Sequence, residues 1–114
     1  MDDNIELEKD EILEKFGGDE GFLTEIIEIF LDDTPKQLSK IKKAINNLNS
    51  KELEQSAHKL KGAIANFVEN TAFKTALKLE IMGRENRFDG VEDVFDTLVK
   101  DVECLANELK ECIE

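Results

Sequence analysis

The chain of 114 residues holds a single histidine, His58, in the run Ala57-His58-Lys59-Leu60-Lys61-Gly62. Around it Leu53, Ala57, Leu60, Ile64 and Phe67 recur at steps of four and three, the spacing that lines one buried stripe along an α-helix. His58 falls one residue, about 100°, off that stripe, so its imidazole belongs at the margin of the helix where another protein can reach it. Its helical neighbours are Glu54, Lys61, Gly62 and Ala65: an acid, a cation and two residues with almost no side chain. An unperturbed imidazole titrates near pH 6.5, so at neutral pH one ring nitrogen is a nucleophile without a dedicated base. Glycine inside a helix costs about 1 kcal/mol relative to alanine and is tolerated where something must approach closely. A bare patch and a cation beside such a ring suit an imidazole that carries a phosphoryl group. The bland alternative is a histidine that only hydrates or packs.

A partner for the ring follows from the next turn. With that turn centred near Glu69, residues equidistant from it stand level on two antiparallel helices, which puts His58 beside Glu80 and Glu54 beside Arg84. A carboxylate next to one ring nitrogen accepts its N–H, fixes the tautomer and leaves the other nitrogen free and more basic. Arg84 can pair with Glu54 or reach phosphoryl oxygens. The plain reading of both contacts is an ordinary interhelical ion pair.

The elements that must hold these residues are helical nearly throughout, with one proline and neither tyrosine nor tryptophan. A short helix is expected from Glu8 to Phe16, stopped by Gly17-Gly18, after which Asp19 caps a second helix from Glu20 to Asn47. That helix carries Phe22, Leu23, Ile26, Ile27, Phe30, Leu38, Ile41 and Ile45 on its apolar face. Pro35 lies within it, and because the apolar period resumes without a gap one kinked helix is expected rather than two. Asn49-Ser50 opens the histidine helix, Lys51 to Val68. Asn70-Thr71 opens a fourth, with Ala72, Phe73, Ala76, Leu77 and Leu79 before Gly83, and a fifth runs from Val91 to Ile113. The expected fold is all-α: an antiparallel up-down four-helix bundle with a short additional N-terminal helix, residues 1–114 forming one domain.

Charge and composition exclude several functions. The net charge of −12 argues against nucleic acid and anionic membrane surfaces. No apolar run approaches the roughly 20 residues of a membrane span, and Met1-Asp2-Asp3-Asn4 is acidic where a signal peptide is basic, so the chain reads as cytoplasmic. Between Lys36 and Lys61 seven lysines face two acids, a local balance of +5, while the remainder carries −17. A basic stretch ending at the histidine favours an anionic partner or a transferred phosphoryl group, though a solvated helix face gives the same pattern. Cys104 and Cys112, about 12 Å apart on one helix, cannot pair within it, and without a Cys-x-x-Cys spacing both read as small apolar residues.

Four segments, Phe16-Gly17-Gly18-Asp19, Phe30-Leu31-Asp32-Asp33-Thr34-Pro35, Ala57-His58-Lys59-Leu60-Lys61-Gly62 and Leu79-Glu80-Ile81-Met82-Gly83-Arg84, together resemble a histidine-containing phosphotransfer (HPt) domain. The resemblance implies a four-helix bundle with the active histidine exposed on a central helix. It further implies that His58 takes a phosphoryl group on Nε2 from an aspartyl phosphate of a receiver domain and passes it to another. Lys61 would stabilise charge on the phosphohistidine, Gly62 would leave room for the receiver's loops, Glu80 would hold Nδ1, and Lys59 would add a secondary contact. Many members of the family have a glycine and a small residue where Val68-Glu69 stand here. The implied partners are response-regulator receiver domains and a hybrid sensor histidine kinase. No cofactor is expected, because no carboxylate cluster for Mg²⁺ is evident beside His58 and the receiver is expected to bring the metal. Gly17-Gly18 is a helix stop and not a nucleotide loop, so the chain is read as a phosphoryl carrier without kinase activity. The alternative is a non-catalytic helical interaction module with His58 incidental. A monomer is expected; apolar surface such as Ile5, Leu7 and Ile12 would instead support a homodimer.

Overall fold

Short polar side chains start three of the helices, and a pair of glycines ends the first. The computed structural model describes residues 8–113, in which the elements are α1 (Lys9–Lys15), α2 (Glu20–Asn46), α3 (Ser50–Ala65), α4 (Thr71–Arg84) and α5 (Val91–Cys112). Gly17 and Gly18 both adopt positive φ and stop α1. The Asp19 carboxylate then accepts from the Phe22 amide at 3.0 Å, Asn49 accepts from Glu52 at 3.1 Å, and Asn70 accepts from Ala72 at 3.0 Å. Each side chain satisfies an amide left over at a helix start, a contribution of about 1 kcal/mol.

The helices α2, α3, α4 and α5 pack in chain order and α5 returns to α2, closing a four-helix bundle. Neighbours run antiparallel: Arg84 at the end of α4 meets Glu54 near the start of α3, and the Thr75 hydroxyl near the start of α4 donates to Asp101 on α5 at 3.0 Å. The core is a column of fully buried side chains, including Leu23, Ile27, Ile41, Leu53, Leu60, Leu79, Leu98 and Leu105. Helix α1 lies over the bundle end where α2 begins and α3 finishes. Its Ile12 is buried, Lys15 donates to the Phe67 carbonyl at 2.9 Å, and Phe16 packs on Phe22 and Phe67 with ring centroids 5.7 and 6.0 Å apart.

Several boundaries and faces depart from expectation for physical reasons. The histidine helix ends at Ala65 and not at Val68; Phe67 is nonetheless buried, because the chain leaving the helix turns its ring onto Phe30, 5.4 Å away. Helix α2 is, as expected, one helix through Pro35, although the proline withholds the N–H that the Leu31 carbonyl would otherwise accept. Phe22 is 45% exposed and belongs to the Phe16 contact, while Thr34, Gln37 and Ala44 take up buried positions on α2. The burial of Ile12 removes it from any dimerising surface, and Ile5 and Leu7 lie outside the described residues. Cys104 is exposed and so is not a packing residue; Cys112 is buried, and burial pushes its thiol pKa up. Among the described residues no helix is long and apolar enough to cross a membrane.

Gly83 does not end α4, as its position suggested, but lies inside it. A Cβ there would sit 2.6 Å from the Glu54 amide nitrogen, 2.8 Å from the Ser50 carbonyl oxygen and 2.9 Å from the Glu54 Cα. All three are backbone atoms of α3 and cannot swing aside, so only glycine allows α4 to come this close. Gly62 differs: nothing lies within 4 Å of the corresponding point. Gly83→Ala is therefore expected to lower the unfolding free energy by about 1–3 kcal/mol through overpacking, outweighing the roughly 1 kcal/mol that alanine normally adds in a helix. Gly62→Ala is expected to show that gain. Urea unfolding measures both, and a Gly83→Ala protein as stable as its parent would mean that α3 and α4 are not locked at this level.

Candidate functional site

Ala57 is fully buried, and one step around α3 the His58 side chain emerges 66% exposed at the edge facing α4. Its Nδ1 lies 3.0 Å from Oε2 of Glu80. The same oxygen accepts from Arg84 Nη2 at 2.8 Å, and Arg84 Nε donates to Glu54 at 3.0 Å. Lys61 Nζ stands 2.7 Å from the other Glu80 oxygen, Oε1, as an ion pair. Three residues from two helices thus converge on one carboxylate, with Glu54 bracing the arginine. The equidistant register about the turn places both the His58–Glu80 and the Glu54–Arg84 contacts.

The Glu80 side chain is only 5% exposed, yet it is not sunk in the core: the side chains that cover it are those that pair with it. Burial alone pushes its carboxyl up, but the hydrogen bonds and charges of Lys61 and His58 outweigh that, and Glu80 titrates below the ordinary 4.5. An ionised carboxylate only accepts hydrogen bonds, so in the neutral ring Nδ1 must carry the proton. Nε2 then holds the lone pair, on the side of the ring away from Glu80. The site therefore presents an oriented nitrogen nucleophile backed by a negative charge.

The remaining candidates are placed differently. Lys59 and Gly62 are exposed on the outer face of α3 and take no part in the carboxylate cluster; Ala65 is half-buried near the end of the helix. The Lys61 ammonium does not point to solvent. Its side chain is 19% exposed, drawn in by Glu80 and lying 6.0 Å from the centre of the Phe73 ring. Gly83 was not recognised from the sequence as part of the site, although a glycine within a helical pattern one turn from Arg84 and Glu80 is the kind of signal that marks close backbone approach. Among the described residues no three of His, Cys, Asp and Glu converge as they would around a metal ion.

Residues 25–114 match the family model described as Hpt domain, and the chain belongs to that family, whose members are histidine phosphotransfer modules of phosphorelay signalling. The match leaves α1 and the Phe16-Gly17-Gly18-Asp19 segment outside it. No curated protein and no solved structure matches the chain.

The lowered Glu80 pKa has a consequence for stability. The contribution of this carboxylate is full above about pH 4.5 and is lost as pH falls through its lower folded value. Unfolding of the parent and of Glu80→Gln, compared between about pH 3 and pH 7, is expected to show a difference that is constant near neutrality and shrinks in acid. A difference that grows in acid would mean that Glu80 is not ionised in the fold.

Proposed function

We propose that His58 is a phosphoryl carrier in a two-component phosphorelay, loaded by an aspartyl phosphate of one receiver domain and discharged to an aspartate of another. The observation that carries this reading is the Nδ1 contact of His58 with Glu80 at 3.0 Å, in a ring otherwise open to solvent. The Nε2 lone pair attacks phosphorus, the N–P bond forms, and the P–O bond to the aspartyl carboxylate breaks, that carboxylate leaving with its electron pair. No proton has to leave Nε2, because Nδ1 holds it. The positive charge that develops on the ring is met by Glu80. On return the same steps run backwards.

Lys61 and Arg84 are the cations within the site, Gly62 opens the approach along α3, and Lys59 and Ala65 border the contact surface. Phosphoryl transfer depends on in-line positioning and charge stabilisation, and the Mg²⁺ that commonly assists it is assigned to the receiver. Residues 1–114 act on this reading as one cytoplasmic carrier domain, monomeric and without kinase activity, fed by a hybrid sensor histidine kinase.

Incubation with a phosphorylated receiver and Mg²⁺, followed by intact-mass measurement at neutral and acid pH, tests the proposal. One phosphoryl group is expected to be gained and then lost in acid, as an N–P bond requires, and His58→Gln is expected to abolish the gain. Lys61→Ala is expected to slow transfer by about tenfold or more. Undiminished labelling of His58→Gln would overturn the assignment; tight receiver binding with no label in the parent would favour a docking module.

A further inference from the structure

Lysines near the histidine stand apart from the fold's own ion pairs. Lys36, Lys40 and Lys43 recur at steps of four and three along α2, and Lys59 follows His58 on α3; all four are exposed. Among the described residues Lys40, Lys43 and Lys59 form no ion pair, and Lys36 has only a 3.7 Å contact with Asp32 in which both side chains are more than two-thirds exposed. This happens in a chain with 27 acidic residues. The structure also divides the basic stretch of the sequence: Lys42 borders a cleft with Glu92 and Asp96 of α5, and Lys61 is held by Glu80.

Of the five that remain, Lys51 is exposed at the start of α3, Lys59 is exposed on its outer face, and Lys36, Lys40 and Lys43 follow one another along the side of α2 that borders α3. Lys40 and Lys43 line a shallow cleft with Asn49 and Glu52, and farther along Asp33 and Gln37 meet Leu60 and Ala63. The α2 lysines therefore flank α3 on the side away from α4, and the exposed outer face of α3, with Lys59 and Gly62, lies between them and His58 at the α4-facing edge. The acids on this seam are partly engaged: Glu52 accepts from Ser56 at 3.2 Å and Asp33 from Gln37 at 3.3 Å. Outside residues 36–61 the chain carries −17. At about 0.1 M salt charges are screened over roughly 10 Å, so lysines one turn apart reinforce one another at a docked surface while acids on the far helices are largely screened.

We infer that Lys36, Lys40, Lys43 and Lys59 form a docking stripe that orients an acidic protein surface, the one surrounding the partner's phosphoaspartate, onto His58. The inference rests on the phosphocarrier reading. An acidic partner is repelled by most of this molecule and drawn to the side of α2 that flanks the helix carrying the nucleophile. The stripe acts on the encounter and not on the chemical step, so its effect lies in the second-order rate and in its response to salt.

Rapid-quench transfer from a phosphorylated receiver domain, run between about 20 and 500 mM ionic strength, tests this. The parent is compared with Lys36→Glu/Lys40→Glu/Lys43→Glu and with a control of equal net charge, Lys74→Glu/Lys78→Glu/Lys100→Glu, whose sites are exposed on α4 and α5. The seam variant is expected to lose about tenfold or more in second-order rate at low salt and to approach the parent at high salt, while the control loses less than about twofold. Equal losses in the two variants would overturn the stripe in favour of net charge alone, and so would a parent rate that does not respond to salt. Unchanged transfer in the seam variant, with loss of its binding to phosphatidylserine vesicles or duplex DNA, would reassign the stripe to those polyanions. No label on the parent from any receiver would overturn the phosphocarrier reading together with the occupant proposed here. Labelling of the parent with both variants alike overturns the stripe alone.

Discussion

The close approach of α3 and α4 at Gly83 governs the rest of the site. Helices with ordinary side chains between them lie about 8–10 Å apart, and at that spacing the polar groups on their margins need not touch. Here the backbone of α4 rests against the backbone of α3 at Ser50 and Glu54, and the side chains one turn farther on are brought into direct contact. Glu54 and Arg84 meet at this level, and His58, Lys61 and Glu80 meet at the next. The same contact that packs the bundle thus sets the reach of the carboxylate. The site is precise because it sits on two helices held at a fixed distance, and not on a loop.

A carboxylate in such a position is a liability unless its charge is answered. Removing an ion from water costs several kcal/mol, on the order of what a close opposite charge returns. Glu80 is answered by a lysine, an arginine and a ring N–H at once, and the balance falls on the side of ionisation. Because Lys61 and Arg84 pair with it as well, the carboxylate does not rely on the ring alone. The tautomer of His58 is in this way set by the ionised Glu80 carboxylate. Glu54 takes part at one remove, holding Arg84 so that the guanidinium spans both acids.

Much of this was legible in the amino-acid order because local rules agree with one another. The apolar steps around His58, the stop at Gly17-Gly18 and the caps at Asp19, Asn49 and Asn70 each depend on neighbours within a turn. The His58–Glu80 contact is long-range, but it follows from a short antiparallel turn, which ties position along one helix to position along the next. What escaped depends on tertiary distance. Val68 and Phe67 continue the apolar pattern of α3 after the backbone has left the helix, since burial is achieved from the connection as well. Gly83 looked like a stop because a glycine near a helix end and a glycine at a backbone crossing are alike until the partner helix is in place. Ile12 looked available for another subunit because nothing local reveals that α1 folds back over the bundle end.

For the phosphoryl carrier proposed above, the pairing of Lys61 with Glu80 bears on how firmly the cargo would be kept. For the ammonium to serve the phosphoryl oxygens it must loosen a 2.7 Å contact with a shielded carboxylate. Whatever the cation contributes to the loaded form is therefore reduced by what the empty form gives up. An imidazole that met its cargo with a lysine held in reserve by nothing would bind it more tightly and release it more slowly. On the phosphocarrier reading the internal salt bridge would work as a counterweight, holding the exchange between nitrogen and aspartate nearer to balance, and reversibility of that kind is what separates a relay from a sink.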